Sequence, residues 1–189
     1  GYSSLCFAEG LLLNAKNAEI TSASLSPKVI TCEPDSRAAF IANKFINYAG
    51  YDNIIELRQE KGLEVIESLR NDNNNNKFDI VFIDADKKAY SSYIEALIGN
   101  DDDDCLLEDG ALIIVDNTLW KGLVMESSND DDLKNYAPNP SLYGNADRMK
   151  KLADSMHDFN VKIKDWKGEI NGKSYQLKPI ILPLRDGLT

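Results

Sequence analysis

At 189 residues and 43% hydrophobic content, the chain can bury one substantial core, so a single domain over residues 1–189 is expected. Its 21 basic and 31 acidic residues leave a net charge of −10, which argues against nucleic acid or an anionic membrane as partner. No apolar run approaches the roughly 18 residues of a membrane span, no charged-then-apolar leader opens the chain, and the odd set Cys6, Cys32 and Cys105 lacks metal-ligand spacing; reduced thiols in the cytoplasm are the simplest expectation.

Runs rich in β-branched residues alternate with amphipathic stretches, the pattern of a parallel sheet covered by helices. "SSLCFAEGLLLNA" predicts a helix over Ser3–Ala15, and "KVITCEP" a short buried strand that Pro34 stops at Glu33. "DSRAAFIANKFINYAG" predicts a helix with Asp35 or Ser36 as N-cap and Gly50 as its stop. Ala39, Phe40, Phe45 and Ile46 would form its apolar face. "NIIELR" then reads as a strand, "GLEVIESLRN" as a helix, "FDIVFID" as a strand and "KKAYSSYIEALIG" as the next helix. The turn "EDG" would introduce the strand "GALIIVDN". "NADRMKKLADSMHDF" is a late helix, followed by strands "VKIKDW" and "KPIILPL". They are joined by "KGEINGKSYQ", in which Asn171-Gly172 suits a tight turn. Acidic and asparagine-rich runs at 71–76, 100–104 and 126–132 fall between these elements and read as solvated loop expansions.

In a doubly wound sheet, ligands bind outside the carboxyl ends of the strands. Here those ends are polar: Glu33 closes one strand, Asp84 another, and Asp116 with Asn117 a third. Neighbouring strands lie roughly 4.8 Å apart, so if those ending at Asp84 and Asp116 are adjacent, both carboxylates can reach one ion. Two carboxylates and an amide oxygen suit Mg²⁺. Taken singly, either aspartate could instead cap the helix or turn that follows. Glu33 could bind a diol or cap the next helix. Lys87 could be a surface lysine like Lys88. Trp120 could wall a pocket or pack in the core. His157 reads as a helix-surface or partly packed histidine, with no Ser-His-acid arrangement around it.

"GYSSL", "FIDADKKAY", "GALIIVDNTLWKG" and "LPLRDGLT", in this order, resemble the cation-dependent small-molecule O-methyltransferases. The branch is that of caffeoyl-CoA O-methyltransferase, related to catechol O-methyltransferase. The resemblance implies a doubly wound Rossmann-like α/β sheet, mostly parallel with an antiparallel C-terminal hairpin. It implies S-adenosylmethionine and Mg²⁺, or another divalent cation such as Ca²⁺ or Mn²⁺, as cofactors, a catechol-like small-molecule acceptor and a homodimer. By position, Asp84, Asp116 and Asn117 would be metal ligands and Lys87 the catalytic lysine. Glu33 would bind the ribose hydroxyls, and Gly1, Tyr2 and Ser3 the methionine part of the cofactor. Lys61 and Gly62 would lie beside the adenine, with Asp84 and Asp86 also bordering the cofactor. Ser3, at a helix start, would offer unpaired N–H groups and a positive dipole end to a carboxylate. A lysine beside a divalent cation would have a lowered pKa and could accept a proton or stabilise a phenolate.

The family pattern places helices, a first strand and an acidic-glycine motif ahead of "GYSSL", so these are expected to be missing from this chain, which opens on Gly1. The stretch from Met125 to Tyr143 and the long last hairpin are expected to border the acceptor pocket. Two rivals fit less well. A receiver domain would need a lysine after its last strand, where "LPLRDG" has none, and a nicotinamide dehydrogenase would need G-x-G-x-x-G. A truncated, non-catalytic family member that binds cofactor weakly or acts through dimerisation stands as the alternative.

Overall fold

The protein is described by a computed structural model for residues 1–17, 28–72, 77–99, 105–170 and 173–182. The chain forms two compact units, residues 1–68 and 69–189.

In the first unit, helix α1 (Tyr2–Asn17) is followed by strand β1 (Val29–Cys32), helix α2 (Ser36–Ala49) and strand β2 (Ile55–Arg58). β1 and β2 run parallel, from Val29 opposite Ile55 to Cys32 opposite Arg58. The unit is held by Ala8, Ile46 and Ile55, with Leu5, Val29, Tyr51, Ile54 and Leu57 packed around them. Both ends of α2 are set by the residues the sequence nominates. The Asp35 carboxylate accepts from the N–H groups of Arg37 and Ala38 at 3.0 and 2.8 Å. Gly50 closes the helix at φ 72°, a left-handed conformation that glycine adopts without Cβ strain. The buried face differs from expectation: it is Ala39, Ala42 and Ile46, while Phe40 and Phe45 are 61% and 59% exposed. The small Ala39 and Ala42, one turn apart, let α2 lie close to its neighbours, Ile46 extends the same face, and the aromatic rings fall on the next stripe of the helix.

Helix α3 (Gly62–Arg70) leads into the second unit, where strand β3 (Phe78–Ile83), helix α4 (Tyr90–Ile98) and strand β4 (Leu107–Val115) form a parallel crossover. A short 3-10 turn, Lys87–Ala89, precedes α4. "EDG" is not a turn before the last of these strands: Glu108, Asp109 and Gly110 lie inside β4. There the register slips from Phe78–Leu107 to Ile80–Leu112, an irregularity with Gly110 at φ 84°. Beyond it the pairing is regular to Ile83 opposite Val115.

Helix α6 (Ala146–Lys164) buries Met149, Ala153, Met156, Phe159 and Ile163, spaced three or four apart. It follows a 3-10 segment (Trp120–Met125), the short helix α5 (Asp131–Lys134) and a 3-10 turn (Pro140–Tyr143). α6 runs through most of "VKIKDW", predicted as a strand, because Ile163 continues the helical stripe four residues beyond Phe159. The antiparallel strands β5 (Lys167–Ile170) and β6 (Lys173–Gln176) sit instead within the predicted connection. The turn at Asn171-Gly172 lies outside the described residues, and residues 178–181 carry no strand. Of the three polar inserts, most of the first two lies outside the described residues. The third is ordered: Asp130 caps α5 through the N–H of Asp132 at 2.9 Å, and Ser127 donates to Asp154 on α6 at 2.6 Å. All three cysteines are free thiols. Among the described residues no helix is long and apolar enough to cross a membrane.

Candidate functional site

In the second unit the chemistry gathers where β3 and β4 end. The N–H of Asp116 donates to the carbonyl of Ile83 at 3.0 Å, continuing the ladder one step past Val115. Asp84 and Asp116 therefore leave adjacent parallel strands at the same level, about 4.8 Å apart in backbone. Neither is a helix cap. That role falls to Asp86, whose carboxylate accepts from the N–H of Lys88 at 3.3 Å.

Lys87 Nζ donates to the Asp84 carboxylate at 2.8 Å and to the Tyr90 hydroxyl at 2.7 Å. Tyr90 in turn donates to the backbone carbonyl of Asp116 at 3.1 Å. Its ring is fully buried and meets Phe159 of α6 edge-on at 5.6 Å. The Lys87 side chain is 11% exposed, the Asp84 side chain 52%. Burial opposes the charge on Lys87, but the hydrogen bonds to Asp84 and Tyr90 outweigh it and hold the amine above the ordinary lysine range. The lowered pKa expected from the sequence was that of a lysine beside a bound cation; the groups on Nζ here are a carboxylate and a phenol, which favour the charge. Sequence reasoning passed over Tyr90, although its spacing of three from Lys87 on a helical turn was the available signal.

Beyond β4 the backbone is strained. Asn117, Trp120 and Lys121 have φ of 63°, 42° and 58°, uncommon values for residues with a Cβ. The Asp116 carboxylate accepts from the N–H of Asn117 at 2.7 Å, and buried Thr118 is anchored through its carbonyl by Asn160 of α6 at 2.8 Å. Trp120 packs against Leu123, Met149 and Ala153, the core reading of that residue, although its indole N–H is buried without a partner. His157 lies half-buried on α6.

The donors at these strand ends are carboxylate and amide oxygens, a hard set that fits Mg²⁺ or Ca²⁺ and not zinc. Among the described residues no three His, Cys, Asp or Glu side chains form a metal cluster. A cation between Asp84 and Asp116 would thus draw further ligands from Asn117, water or a bound hydroxyl.

The first unit carries the expected cofactor residues other than Asp84 and Asp86, at the ends of its two strands and at the start of α1. Glu33 follows β1, half-buried, its carboxylate accepting from the N–H of Asp35 at 3.0 Å. Lys61 and Gly62 follow β2 at the start of α3, where Glu64 reaches back to the Lys61 N–H at 3.3 Å. Gly1, Tyr2 and Ser3 form the N-terminal end of α1, with Tyr2 83% exposed. Ser4, buried one position further on, ties that end to β1 by donating to the Thr31 hydroxyl at 2.9 Å.

Comparison with known proteins gives this geometry a context. A family profile described as O-methyltransferase matches residues 18–171. The caffeoyl-CoA O-methyltransferase of Medicago sativa is 34% identical over 139 residues, covering 66% of this chain and 53% of that protein. A catechol O-methyltransferase of Niastella koreensis is 28% identical over 131 residues, covering 69% of this chain and 51% of its own length. The chain thus spans about half the length of these curated relatives. In fold it is similar to the S-adenosylhomocysteine-bound Podospora anserina methyltransferase PaMTH1, with a TM-score of 0.58 at 16% identity over 97% of this chain and 66% of that one.

Proposed function

Since this chain belongs to the O-methyltransferase family, we propose that it carries the transfer of a methyl group from S-adenosylmethionine to one hydroxyl of a catechol-like small molecule, with a divalent cation required. The observation that carries the reading is the register of Ile83 with Val115, which sets Asp84 and Asp116 at the same level. The caffeoyl-CoA and catechol enzymes among the relatives support an acceptor with vicinal hydroxyls, such as a caffeoyl-CoA-type ester. We propose further that both units belong to one methyltransferase domain, supported by a family match that runs across their boundary, and that the protein works as a cytoplasmic homodimer.

Asp84, Asp116 and Asn117 would hold Mg²⁺. When bound, the cation supplies Lewis acidity that lowers the pKa of the hydroxyl to be methylated. Lys87 keeps Nζ protonated through Asp84 and Tyr90 and presents its third N–H to the charge that develops on the acceptor oxygen. The protein offers no covalent nucleophile in this reading; its contribution is positioning and charge stabilisation. Glu33 would accept hydrogen bonds from the ribose hydroxyls, and the first turn of α1 would face the carboxylate of the cofactor with its free N–H groups. Asp86 and the Lys61-Gly62 backbone would border the adenine.

The test is methyl transfer from labelled S-adenosylmethionine to catechol with Mg²⁺ or with chelator. Product formed only with the cation supports the proposal. Cofactor binding by calorimetry without product under either condition favours the non-catalytic alternative.

A further inference from the structure

The Tyr90 phenol joins the ends of β3 and β4 by way of Lys87. Its hydroxyl accepts from Lys87 Nζ at 2.7 Å and donates to the Asp116 carbonyl at 3.1 Å. Lys87 itself reaches Asp84 at 2.8 Å. One hydroxyl thus closes a chain of polar contacts from the end of β3 to the end of β4. The ring has no room to swing, being fully buried and seated edge-on against Phe159, itself 2% exposed. A phenol fixed at both ends can set where a flexible lysine amine lies and how the backbone of Asp116 is turned.

We propose that Tyr90 is a positioning residue. Its hydroxyl holds the Lys87 amine on the Asp84–Asp116 line and fixes the Asp116 peptide, so that the carboxylates of both strands stay open to a common cation. The consequence for catalysis rests on the proposed function; the positioning itself does not. Without the hydroxyl, Lys87 loses one of two partners and shifts wholly onto Asp84, where an ammonium competes with a divalent cation. The Asp116 carbonyl loses its donor at the same time.

The test uses the whole chain and Tyr90→Phe, which removes one oxygen and keeps the ring. In metal-free denaturant unfolding, Tyr90→Phe should lower the folding equilibrium constant about tenfold, the weight of a hydrogen bond to a charged group. In the Lys87→Met background the same change should cost less, about threefold, because only the bond to the Asp116 carbonyl is then lost. Equal losses in both backgrounds would show that Tyr90 does not act through Lys87, and would overturn the proposal. The second readout is Mn²⁺ affinity by electron paramagnetic resonance. Tyr90→Phe should weaken it at least about threefold, whereas Phe159→Leu should lower stability and leave it unchanged; equal weakening by both variants marks a merely structural role. If the unsubstituted protein binds no Mn²⁺, the metal reading fails and the unfolding cycle alone decides the positioning. Should Tyr90→Phe not fold, acetylation of the native protein decides. Lys87 should react at least about tenfold more slowly than exposed Lys88, and equal rates would overturn the proposal.

Discussion

The backbone N–H of Asp116 bonds to the carbonyl of Ile83 at 3.0 Å, which sets positions 84 and 116 at the same level at the ends of neighbouring strands. If they share a cation, Asp116→Ala should reduce cation-dependent methyl transfer by about 100-fold or more. The melting temperature should change little, since the side chain is partly solvated and accepts from the adjacent N–H of Asn117. Steady-state rates at saturating Mg²⁺, beside a thermal melt, check both halves. Unchanged turnover would remove Asp116 from the metal set.

Lys87→Met keeps the length and apolar stem of the side chain and removes its charge. The expected loss in kcat is about 100-fold at neutral pH, the range of a single positioned acid or base. Because Asp84 and Tyr90 raise the pKa of the amine, its charge should persist across the neutral range. A pH–rate profile identical in shape and height for the two proteins would exclude the role.

At the end of β1 the half-buried Glu33 carboxylate accepts from the Asp35 N–H. Replacing its charge by Glu33→Gln should weaken S-adenosylhomocysteine binding by about 1.5–3 kcal/mol, the loss of charge-assisted hydrogen bonds to a diol. Titration calorimetry reads this directly, and binding of undiminished strength would place the ribose elsewhere.

Glu56 gives a pH prediction independent of the reaction. Hydrogen bonds from Lys28 at 2.5 Å and Arg58 at 2.7 Å hold its carboxyl below the usual glutamate value, with slight burial opposing them. A depressed folded pKa adds stability above the unfolded value of about 4.3, and that stability is lost as pH falls through the folded value. The pair is partly exposed, so about 0.5 kcal/mol is expected. Melts of Glu56→Gln and the unsubstituted protein should differ at about pH 6 and converge by about pH 3. A constant difference across that range would contradict the coupling.

Caps and strand ends were legible in the sequence because they depend on local chemistry. Asp35, Gly50 and the polar residues closing β1, β3 and β4 all lie where reading the chain puts them. Burial was less legible: Phe40 and Phe45 look like core, yet Ala39 and Ala42 face inward, because close packing of α2 selects small residues. "VKIKDW" satisfies a period of two and a period of 3.6 equally over six residues, and only the packing of Ile163 along α6 decides between them. The role of Tyr90 was only half legible, for a different reason. Its partners, Lys87 and the Asp116 carbonyl, lie three and 26 residues away, and only the β3–β4 pairing unites them.

The most direct test of the cation-dependent site is mass-spectrometric detection of methylated catechol. The full chain is incubated with S-adenosylmethionine and Mg²⁺, then with excess chelator, then with Mg²⁺ restored. Product should form, cease and resume. The same yield in chelator as in Mg²⁺, or none in any of the three, would contradict the account.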